Sequence, residues 1–330
     1  MAEPSPRQDG PMQTIALDVH AHLIPARDGR LDGFAGVSWD AGTEKLTVDG
    51  HGIGLKNLFR PEALTLWMAD NAVAHAWISA PPPVYRPELG PDETRRWSEA
   101  LNAGLQAIAA AHADRLSALF HLPVEHPAVA VEIARDRIAR GHSRFAMPAG
   151  GAGVMLSDPV FAPLWQVLDE ASAFLFLHPG ESCDARLDPF YLANLLGNPT
   201  ETAIASAHLV FGGILERHPR LTVCLAHAGG TTAALAGRFE RGYATDRPGL
   251  DQGLEPPRRT LRRLCVDCIA HDRAGLALAA EVFGADRILF GSDWPFPMGL
   301  PKPHEQMAGI EPGFRRAIFC DNAGTVLGEG

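Results

Sequence analysis

A His-x-His pair closes the first apolar run of the sequence. His20 and His22 end the segment Ile15–His22, and because side chains alternate along a strand, both imidazoles point to the same side of it. Two imidazoles at this spacing can bind one metal ion. Two polar residues hydrogen-bonded to loop carbonyls at a strand end would give the same pattern, so the pair alone leaves both interpretations open.

Three further polar residues end apolar runs in the same way. His178 precedes Pro-Gly, His227 precedes Ala-Gly-Gly, and Asp293 precedes Trp-Pro. Each alone has a structural explanation, but five such residues at equivalent strand ends are hard to attribute to chance. Imidazole and carboxylate ligands suit Zn²⁺ and other borderline divalent ions. We therefore expect a catalytic metal site with a position open for water, whose pKa the metal lowers toward about 7.

The secondary-structure elements that carry these residues can be predicted from the sequence. Short apolar runs alternate with amphipathic stretches along the chain. The alternation indicates parallel βαβ units, and eight units close a (β/α)8 TIM barrel, an α/β fold whose active site lies at the carboxyl ends of the strands. An open doubly wound sheet with a glycine-rich phosphate loop is the weaker alternative, because no G-x-G-x-x-G follows the first run. The predicted strands are Ile15–His22, Ala76–Ala80, Leu116–Leu122, Gly153–Ser157, Ala173–His178, Leu221–His227, Leu264–Ile269 and Arg287–Ser292.

Two segments depart from this alternation. Residues 27–55 are rich in Gly and Asp and carry short alternating pieces, which predicts a small β-rich insertion after the first strand. Residues 1–12 lack the apolar core of a secretory signal and are expected to form a disordered tail. The remainder, residues 13–330, is predicted to be a single barrel domain.

Lysine is rare in this chain, which bears on the number of metal ions. The lysines are Lys45, Lys56 and Lys302. Some barrel metalloenzymes bridge two metals with a carboxylated lysine from strand four. The segment predicted as strand four, Gly153–Ser157, has no lysine, and neither has any other predicted strand. We therefore expect a mononuclear site.

The composition narrows the partners and the compartment. Lys and Arg total 29 against 39 Asp and Glu, a formal charge of −10, which argues against a nucleic-acid or anionic-membrane partner. No apolar run reaches the ~18 residues of a membrane span. Five cysteines in 330 residues fit reduced thiols in the cytoplasm. Cys265 and Cys268 form a lone C-x-x-C inside an apolar run, which is better interpreted as a buried strand.

The motifs resemble the metal-dependent amidohydrolase superfamily. They look most like the branch that contains α-amino-β-carboxymuconate-ε-semialdehyde decarboxylase and γ-resorcylate decarboxylase. The resemblance runs from about Asp18 to Asn322. The segments that carry it are Asp18–His22, Leu175–Pro179, Pro199–Thr202, Gly212–Pro219, Ala226–Gly230, Ala270–Asp272 and Gly291–Pro297.

The resemblance implies roles for the strand-end residues. His20, His22, His178 and Asp293 would bind one divalent metal ion, zinc before Mn²⁺, Fe²⁺ or Co²⁺. His227 would act as general acid/base beside the metal-bound water. Reactions in this branch are mostly nonoxidative decarboxylations, so we expect a decarboxylase of a small unsaturated or aromatic carboxylic acid. The aromatic-acid enzymes often have Glu at the position of His20, which favours the aminocarboxymuconate-semialdehyde type.

The resemblance also implies how a carboxylate substrate is bound. The semialdehyde-type enzymes use arginines, one of them from a neighbouring subunit. Arg247 would correspond to the arginine that comes from the neighbouring subunit, which implies a homodimer. Lys56 or Arg60 would replace the arginine that comes from the same subunit. Trp294 and Phe296 are expected to pack the loop after strand eight, where one of them touches the substrate.

Two other functions stay open at this stage. A hydratase, or a hydrolase of an amide or lactone, would use the same metal and histidine, with an uncharged pocket favouring the hydrolase and a basic one the lyase. A barrel that binds a ligand or metal without turnover is the third possibility, which the full set of five strand-end residues opposes.

Four residues near the expected site have weaker signals. His121 ends the third strand and either lines the pocket or is a hydrogen-bonded structural histidine. Asp18 shares the face of His20 but lies deeper, and is expected to make a hydrogen bond in the core or to a metal ligand rather than to bind metal. Asp272 is expected to cap a helix. Glu181 is either an acid in the pocket or a solvated loop residue.

Overall fold

The computed structural model describes residues 12–151, 153–180 and 184–327. The predicted N-terminal tail lies outside this range apart from Met12, which is exposed. Short strands alternate with helices from Ile15 onward. The strands are β1 (Ile15–His22), β2 (Val37–Asp40), β3 (Lys45–Val48), β4 (His51–Ile53), β5 (Val73–Ser79), β6 (Leu116–Ala118), β7 (Phe120–His121), β8 (Arg144–Pro148), β9 (Phe174–His178), β10 (Thr222–Leu225), β11 (Cys265–Asp267) and β12 (Ile288–Leu289).

Two parallel sheets form the centre of the protein. One has the order β1-β5-β6, and the other has the order β12-β11-β10-β9-β8-β7. Only Leu119 separates β6 from β7. At the opposite edges, the Val19 N–H donates to the Phe290 carbonyl at 3.0 Å and Ala21 forms a parallel bridge with Trp294. The expected α/β fold with parallel sheets is confirmed.

One apolar cluster is built largely from residues of the parallel strands. Most of these strands contribute to it, because strands buried on both faces are nearly continuous in apolar residues, and Leu119 joins it from between β6 and β7. The ring of Trp77 packs against Phe174 with centroids 4.7 Å apart. The cluster consists of Leu17, Val19, Trp77, Leu119, Ala146, Phe174, Phe176, Cys224, Ala226, Cys265, Leu289 and Ala323.

The fourth parallel strand is not where the sequence predicts it. The strand is Arg144–Pro148, paired with β9 from Arg144 opposite Phe174 to Pro148 opposite His178. The predicted segment Gly153–Ser157 forms turns, since Gly153 has a φ of +84° that a strand does not allow. The true strand is a short apolar run ended by a proline, which hides its periodicity. It contains no lysine either, so the argument for a mononuclear site is unaffected.

Helices cover the outer face of the parallel strands. Several begin with a proline in the first turn, where its missing N–H has no consequence, and Asp272 caps α9 by accepting hydrogen bonds from Ala274 and Gly275, as predicted. No helix in the described part of the chain combines the length and apolar composition that a membrane crossing requires. The helices are α1 (Pro61–Asp70), α2 (Pro91–Ala111), α3 (Pro127–Ala139), α4 (Ala162–Glu170), α5 (Asn198–Phe211), α6 (Ile214–Arg217), α7 (Thr232–Ala244), α8 (Pro257–Leu261), α9 (Arg273–Phe283), α10 (Pro303–Gln306), α11 (Pro312–Phe319) and α12 (Gly324–Leu327).

A small antiparallel sheet, β2-β3-β4, lies within residues 27–55. Arg86, from the loop after β5, joins it to the rest of the fold. Its guanidinium donates to both carboxylate oxygens of Asp49 at 2.7 and 2.8 Å and to the Ala35 carbonyl at 2.7 Å. It also lies over the Trp97 ring at 5.0 Å. We call Arg86, Asp49, Ala35 and Trp97 the Arg86 anchor.

Candidate metal centre

Four side chains from the ends of three parallel strands converge at one point. His20 and His22 come from β1, His178 ends β9, and Asp293 follows β12. One ligand atom from each lies within 4.8 Å of all the others, and all four residues are buried. Zinc bonds of about 2.0–2.2 Å place ligand atoms up to about 4 Å apart, which is close to this spacing. We call these four residues the strand-end cluster.

His20 is held by Asp267, a carboxylate from β11. Its Nδ1 lies 2.7 Å from Asp267 Oδ2, and both groups are fully buried. Gly291 makes this pair possible, because a Cβ there would lie 2.9 Å from the Cβ of His20 and 2.8 Å from that of Asp267. Asp18 accepts from the His20 N–H at 3.0 Å, as predicted, and from the Ser292 N–H at 3.0 Å.

In each of the three imidazoles, Nδ1 contacts a group outside the cluster and Nε2 faces the other cluster residues. His178 Nδ1 donates to the Pro179 carbonyl at 2.9 Å, and Nδ1 of His20 is committed to Asp267. His22 Nδ1 lies 3.1 Å from the Ser79 hydroxyl. These contacts turn the three Nε2 lone pairs toward the centre of the cluster. Such outer hydrogen bonds commonly orient histidine ligands in metal sites.

Unpartnered atoms at the centre fit a divalent cation. His178 Nε2 and Asp293 Oδ1 are buried without any hydrogen-bond partner in the described part of the chain. The Nε2 atoms of His20 and His22 lie only 3.0 Å apart, and Asp293 Oδ1 lies 3.2 and 3.3 Å from them. Buried polar groups are normally satisfied. Three imidazole nitrogens and one carboxylate oxygen are a suitable donor set for zinc or a similar ion.

The same crowding shifts the pKa values. Burial disfavours a charged imidazole, but the Asp293 carboxylate and the hydrogen bond to Asp267 outweigh it and raise the pKa of His20 to about 10. Burial, followed by the neighbouring histidines, lowers the pKa of His178 well below its usual value. Burial opposes ionisation of Asp293, yet the charge of His20 holds the pKa of that carboxyl well below its usual range. Protons and a cation therefore compete for these lone pairs.

His227 lies beside the cluster rather than inside it. Its Nε2 is 3.8 Å from Asp293 Oδ2, and its ring centroid is 5.2 Å from that of His178. Its backbone N–H donates to Asp267 Oδ2 at 2.9 Å, and the residue has a φ of +55°. A positive φ at a non-glycine residue is strained and persists only where the surroundings impose it. Here the bond to Asp267 fixes the turn that brings the imidazole to the cluster.

A pocket of about 420 Å³ opens onto His227 and Asp293. Amide and hydroxyl groups of Asn194, Asn198 and Thr231 contribute to its lining, together with His271. Apolar side chains, including Leu195, Ile269, Leu278 and Met298, form much of the remaining wall. None of the described residues that line the pocket is a lysine or an arginine.

The whole sequence was compared with known protein families. The amidohydrolase family pattern matches residues 17–328, which span all four residues of the strand-end cluster. The chain belongs to the amidohydrolase family. This confirms the resemblance that the motifs indicated.

Relatives of this amidohydrolase include named decarboxylases. A 2-amino-3-carboxymuconate-6-semialdehyde decarboxylase of Dictyostelium discoideum is 26% identical over 91% of this chain and 87% of its own length. A γ-resorcylate decarboxylase of Rhodococcus jostii is 26% identical over 86% of this chain and 88% of its own. These relatives support a carbon–carbon lyase.

The fold is shared with solved decarboxylase structures. One is a dihydroxybenzoic acid decarboxylase of Polaromonas with bound manganese and the inhibitor 2-nitroresorcinol. It is 17% identical and superposes with a TM-score of 0.77, covering 96% of this chain and 97% of its own. The strand-end cluster supports a divalent metal site in this amidohydrolase, and the neighbour shares its fold.

The predicted substrate residues lie in different places. Phe296 is near the cluster, with its ring 5.5 Å from that of His22, and the buried Trp294 accepts the His22 N–H on its carbonyl at 2.8 Å. Lys56 is exposed in a short helical turn, and Arg60 is ion-paired with Glu44. Arg247 is exposed and donates to the Thr245 carbonyl at 2.8 Å. Within one chain, none of these three cations lines the pocket. Glu181 lies outside the described residues.

Asp267 is the site residue that the sequence analysis missed. It accepts hydrogen bonds from the backbone of His227, Ala228 and Ile269 as well as contacting His20. Its signal was present, since it is the one acidic residue inside the predicted strand Leu264–Ile269. A buried carboxylate needs several donors, which its position at the end of a strand supplies. The interpretation of Cys265 and Cys268 as part of a buried strand segment is correct.

Proposed function

We propose that this amidohydrolase is a divalent-metal-dependent, nonoxidative decarboxylase of a small aromatic or unsaturated carboxylic acid. The observation that carries the proposal is the convergence of three imidazole Nε2 atoms and Asp293 Oδ1 beside His227, at the mouth of a pocket. The decarboxylase names of the relatives support the reaction class.

His20, His22, His178 and Asp293 are the proposed metal ligands, and zinc is the proposed ion, with Mn²⁺, Fe²⁺ and Co²⁺ as alternatives. When bound, the ion would supply Lewis acidity that stabilises negative charge on the substrate. Asp267 and Ser79 keep the ligand imidazoles oriented. This arrangement defines the place where the reacting carboxylate must lie.

His227 is the proposed general acid and base. Its imidazolium delivers a proton from Nε2 to the substrate carbon that bears the carboxylate. The bond from that carbon to the carboxylate then breaks, carbon dioxide leaves, and the electron pair of the broken bond restores the unsaturated system. The products are carbon dioxide and the acid with hydrogen in place of its carboxylate, and a proton from solvent recharges His227.

The substrate-binding part of the proposal includes a second copy of the chain. Trp294 and Phe296 would pack against the substrate. Because no lysine or arginine lines the pocket among the described residues, we propose that Arg247 reaches the site from the partner of a homodimer. Lys56 and Arg60 stay candidates only if their loop moves, since Arg60 already has Glu44 as partner.

The absence of lysine and arginine from the described pocket lining also favours a second candidate function. A hydrolase of an amide or lactone, or a hydratase, would use the same ligands and His227, with no cation needed for a substrate carboxylate. Water would then be added and no carbon dioxide released. The lyase remains the main proposal because the named relatives are decarboxylases.

Two parts of the proposal concern architecture and location. We propose that the two parallel sheets form one closed eight-strand barrel, which the bonds from Val19 to Phe290 and from His22 to Trp294 support. Residues 27–55 would be an insertion after its first strand. A cytoplasmic location remains a prediction from the cysteine usage.

The deciding experiment is mass spectrometry of a panel of muconate-semialdehyde and hydroxyaryl carboxylates, incubated with zinc-loaded protein and with Asp293→Ala as control. Loss of carbon dioxide that requires both metal and Asp293 supports the decarboxylase and names the substrate group. Addition of water without loss of carbon dioxide contradicts it and supports the hydratase or hydrolase.

A further inference from the structure

A second cavity lies at the edge of the parallel strands opposite to the strand-end cluster. Its volume is about 330 Å³, and Arg144, the first residue of β8, lies in its lining. β8 ends at Pro148, which pairs with His178. Four residues of strand at about 3.3 Å each place Arg144 about 13 Å before the level of His178. The described lining of this cavity has no residue in common with that of the pocket beside His227.

Arg144 is a half-buried cation in the wall of this cavity. Its guanidinium lies over the ring of the fully buried Trp77, 5.0 Å from the ring centroid. The ring covers one face of the guanidinium but accepts none of its in-plane N–H groups. Burial lowers the pKa of Arg144, and no carboxylate among the described residues counteracts this effect. The guanidinium therefore faces the cavity without an anionic partner from the described chain.

Neighbouring arginines have partners within the protein. Arg140 pairs with Asp136 at 2.9 Å, and Arg115 donates to the Val73 carbonyl at 2.9 Å. Carboxylates are abundant in this chain, which has 39 Asp and Glu against 29 Lys and Arg. None of the described residues that line the cavity is acidic. Arg144 thus differs from its neighbours in a way that the composition of the chain does not explain.

The rest of the lining combines neutral polar groups with an apolar wall. Ser117 and Ser143 contribute hydroxyl groups, and His142 contributes an imidazole. Burial, followed by the charges of nearby arginines, lowers the pKa of His142, so this ring adds no positive charge at pH 7. The apolar wall consists of Ala109, Ala110, Ala113, Leu116, Ala118 and Phe120.

We propose that this cavity binds a small organic monocarboxylate, with its carboxylate on the Arg144 guanidinium and its apolar body against the apolar wall. The planar guanidinium matches a carboxylate through two parallel N–H···O bonds. One permanent cation in the lining suits a single negative charge better than the two charges of a phosphate monoester. The volume of about 330 Å³ lies within the range of small-molecule sites and exceeds what a water or an inorganic anion fills. This site would work independently of the metal and of the proposed decarboxylation.

Equilibrium dialysis of radiolabelled benzoate against the metal-free, full-length protein tests the proposal. We expect saturable binding that Arg144→Met weakens about 10–100-fold, because a charge-assisted bidentate pair is lost. Arg140→Met is the matched control, since it removes an equal charge close to the cavity but outside its lining, and it should bind benzoate like the wild type. Absence of saturable binding, or equal losses in the two variants, overturns the proposal.

The same measurement separates this site from the metal centre. Asp293→Ala should keep the benzoate site that depends on Arg144. Binding that requires zinc or Asp293 and is indifferent to Arg144→Met would assign benzoate to the metal centre and overturn the proposal. Phenyl phosphate should bind more weakly than benzoate, and the reverse order overturns the preference for a carboxylate.

A second variant keeps the charge and fills the space. Ala110 lines the cavity from an exposed position on α2, and leucine there preserves the helix. We expect Ala110→Leu to weaken benzoate binding about tenfold, which corresponds to about 1.4 kcal/mol. Zinc affinity, measured by competition with a chelator, should be unchanged in Arg144→Met, Arg140→Met and Ala110→Leu, which shows that each is folded. Unchanged benzoate affinity in Ala110→Leu overturns the placement of the apolar body.

Discussion

The strand-end cluster and the Arg86 anchor both contain buried polar side chains near loops that follow parallel strands, but they differ in completeness, since the buried Arg86 is paired with the half-exposed Asp49. In the anchor, the guanidinium has Asp49, the Ala35 carbonyl and the Trp97 face as partners within the chain. In the cluster, buried atoms of His178 and Asp293 have none among the described residues. The anchor is satisfied by folding, whereas the cluster is arranged for something that folding does not supply.

This difference separates stabilising from functional polar groups. An unpaired buried polar atom costs about 1–3 kcal/mol, so two at one point are expected where a ligand is to bind. A network in which every polar atom has a partner within the protein has no such unpaired atom and contributes to stability. Substitutions in the cluster should therefore lower metal affinity and turnover. Substitutions in the anchor should lower the free energy of unfolding.

Substitution of His227 should have the largest effect, and it should change only the turnover rate. We expect His227→Gln to lower kcat about 10²–10⁴-fold while the protein keeps one metal ion, because the side chain moves a proton and binds no metal. Metal content by elemental analysis and turnover of the identified substrate measure the two effects. Loss of metal together with rate would make His227 a ligand instead.

Asp267 tests whether an orienting carboxylate belongs to the cluster. Asp267→Asn removes the charge that fixes the His20 tautomer, and we expect metal affinity to fall about 10–100-fold. Competition with a chromophoric chelator measures it. Asp272→Asn is the matched control, since asparagine caps a helix as well as aspartate does and metal affinity should stay unchanged. Equal affinities in both variants would remove Asp267 from the site.

The Arg86 anchor should respond in the opposite way. Arg86→Met loses two hydrogen-bond partners and the ring contact, so we expect the free energy of unfolding to fall by about 1–3 kcal/mol with metal content unchanged. Urea unfolding measures the loss. The control Arg27→Met removes exposed ion pairs with Glu44 and Glu62, which are worth under about 1 kcal/mol. Metal loss in Arg86→Met would break the distinction between the two networks.

His121 extends the comparison to a single unpartnered group. Burial lowers its pKa from 6.5 to about 4, so between these values the unfolded chain binds a proton that the folded protein does not. The free energy of unfolding is therefore highest above pH 6.5 and decreases as the pH falls toward 4. The His121 contribution to this decrease is about 2 kcal/mol between pH 7 and pH 5.

Urea unfolding at both pH values measures this loss. His121→Gln should lack it, and the exposed His51→Gln should keep it. The same pH dependence in His121→Gln and in the wild type would assign the effect to other groups.

Much of the site follows from local sequence features. A strand buried on both faces needs an apolar run, and a polar residue before Gly or Pro marks its end, so His20, His22, His178, His227 and Asp293 were predicted as one set. The division of that set into four metal ligands and a separate His227 came from the family resemblance. Arg144–Pro148 escaped because five residues ended by proline carry too little periodicity to separate a strand from a loop.

The sequence by itself determined which polar residues stand at the ends of strands, because alternation and chain breaks are local properties. The tertiary structure decided which of them meet. His20 and Asp267 are 247 residues apart in the chain and 2.7 Å apart in space, and their contact depends on Gly291 leaving room between two strands. Arg60, which was predicted with Lys56 as an alternative substrate residue, pairs with Glu44 in this structure. Pairing of this kind depends on distances that the packing of distant segments sets, and no local pattern encodes them.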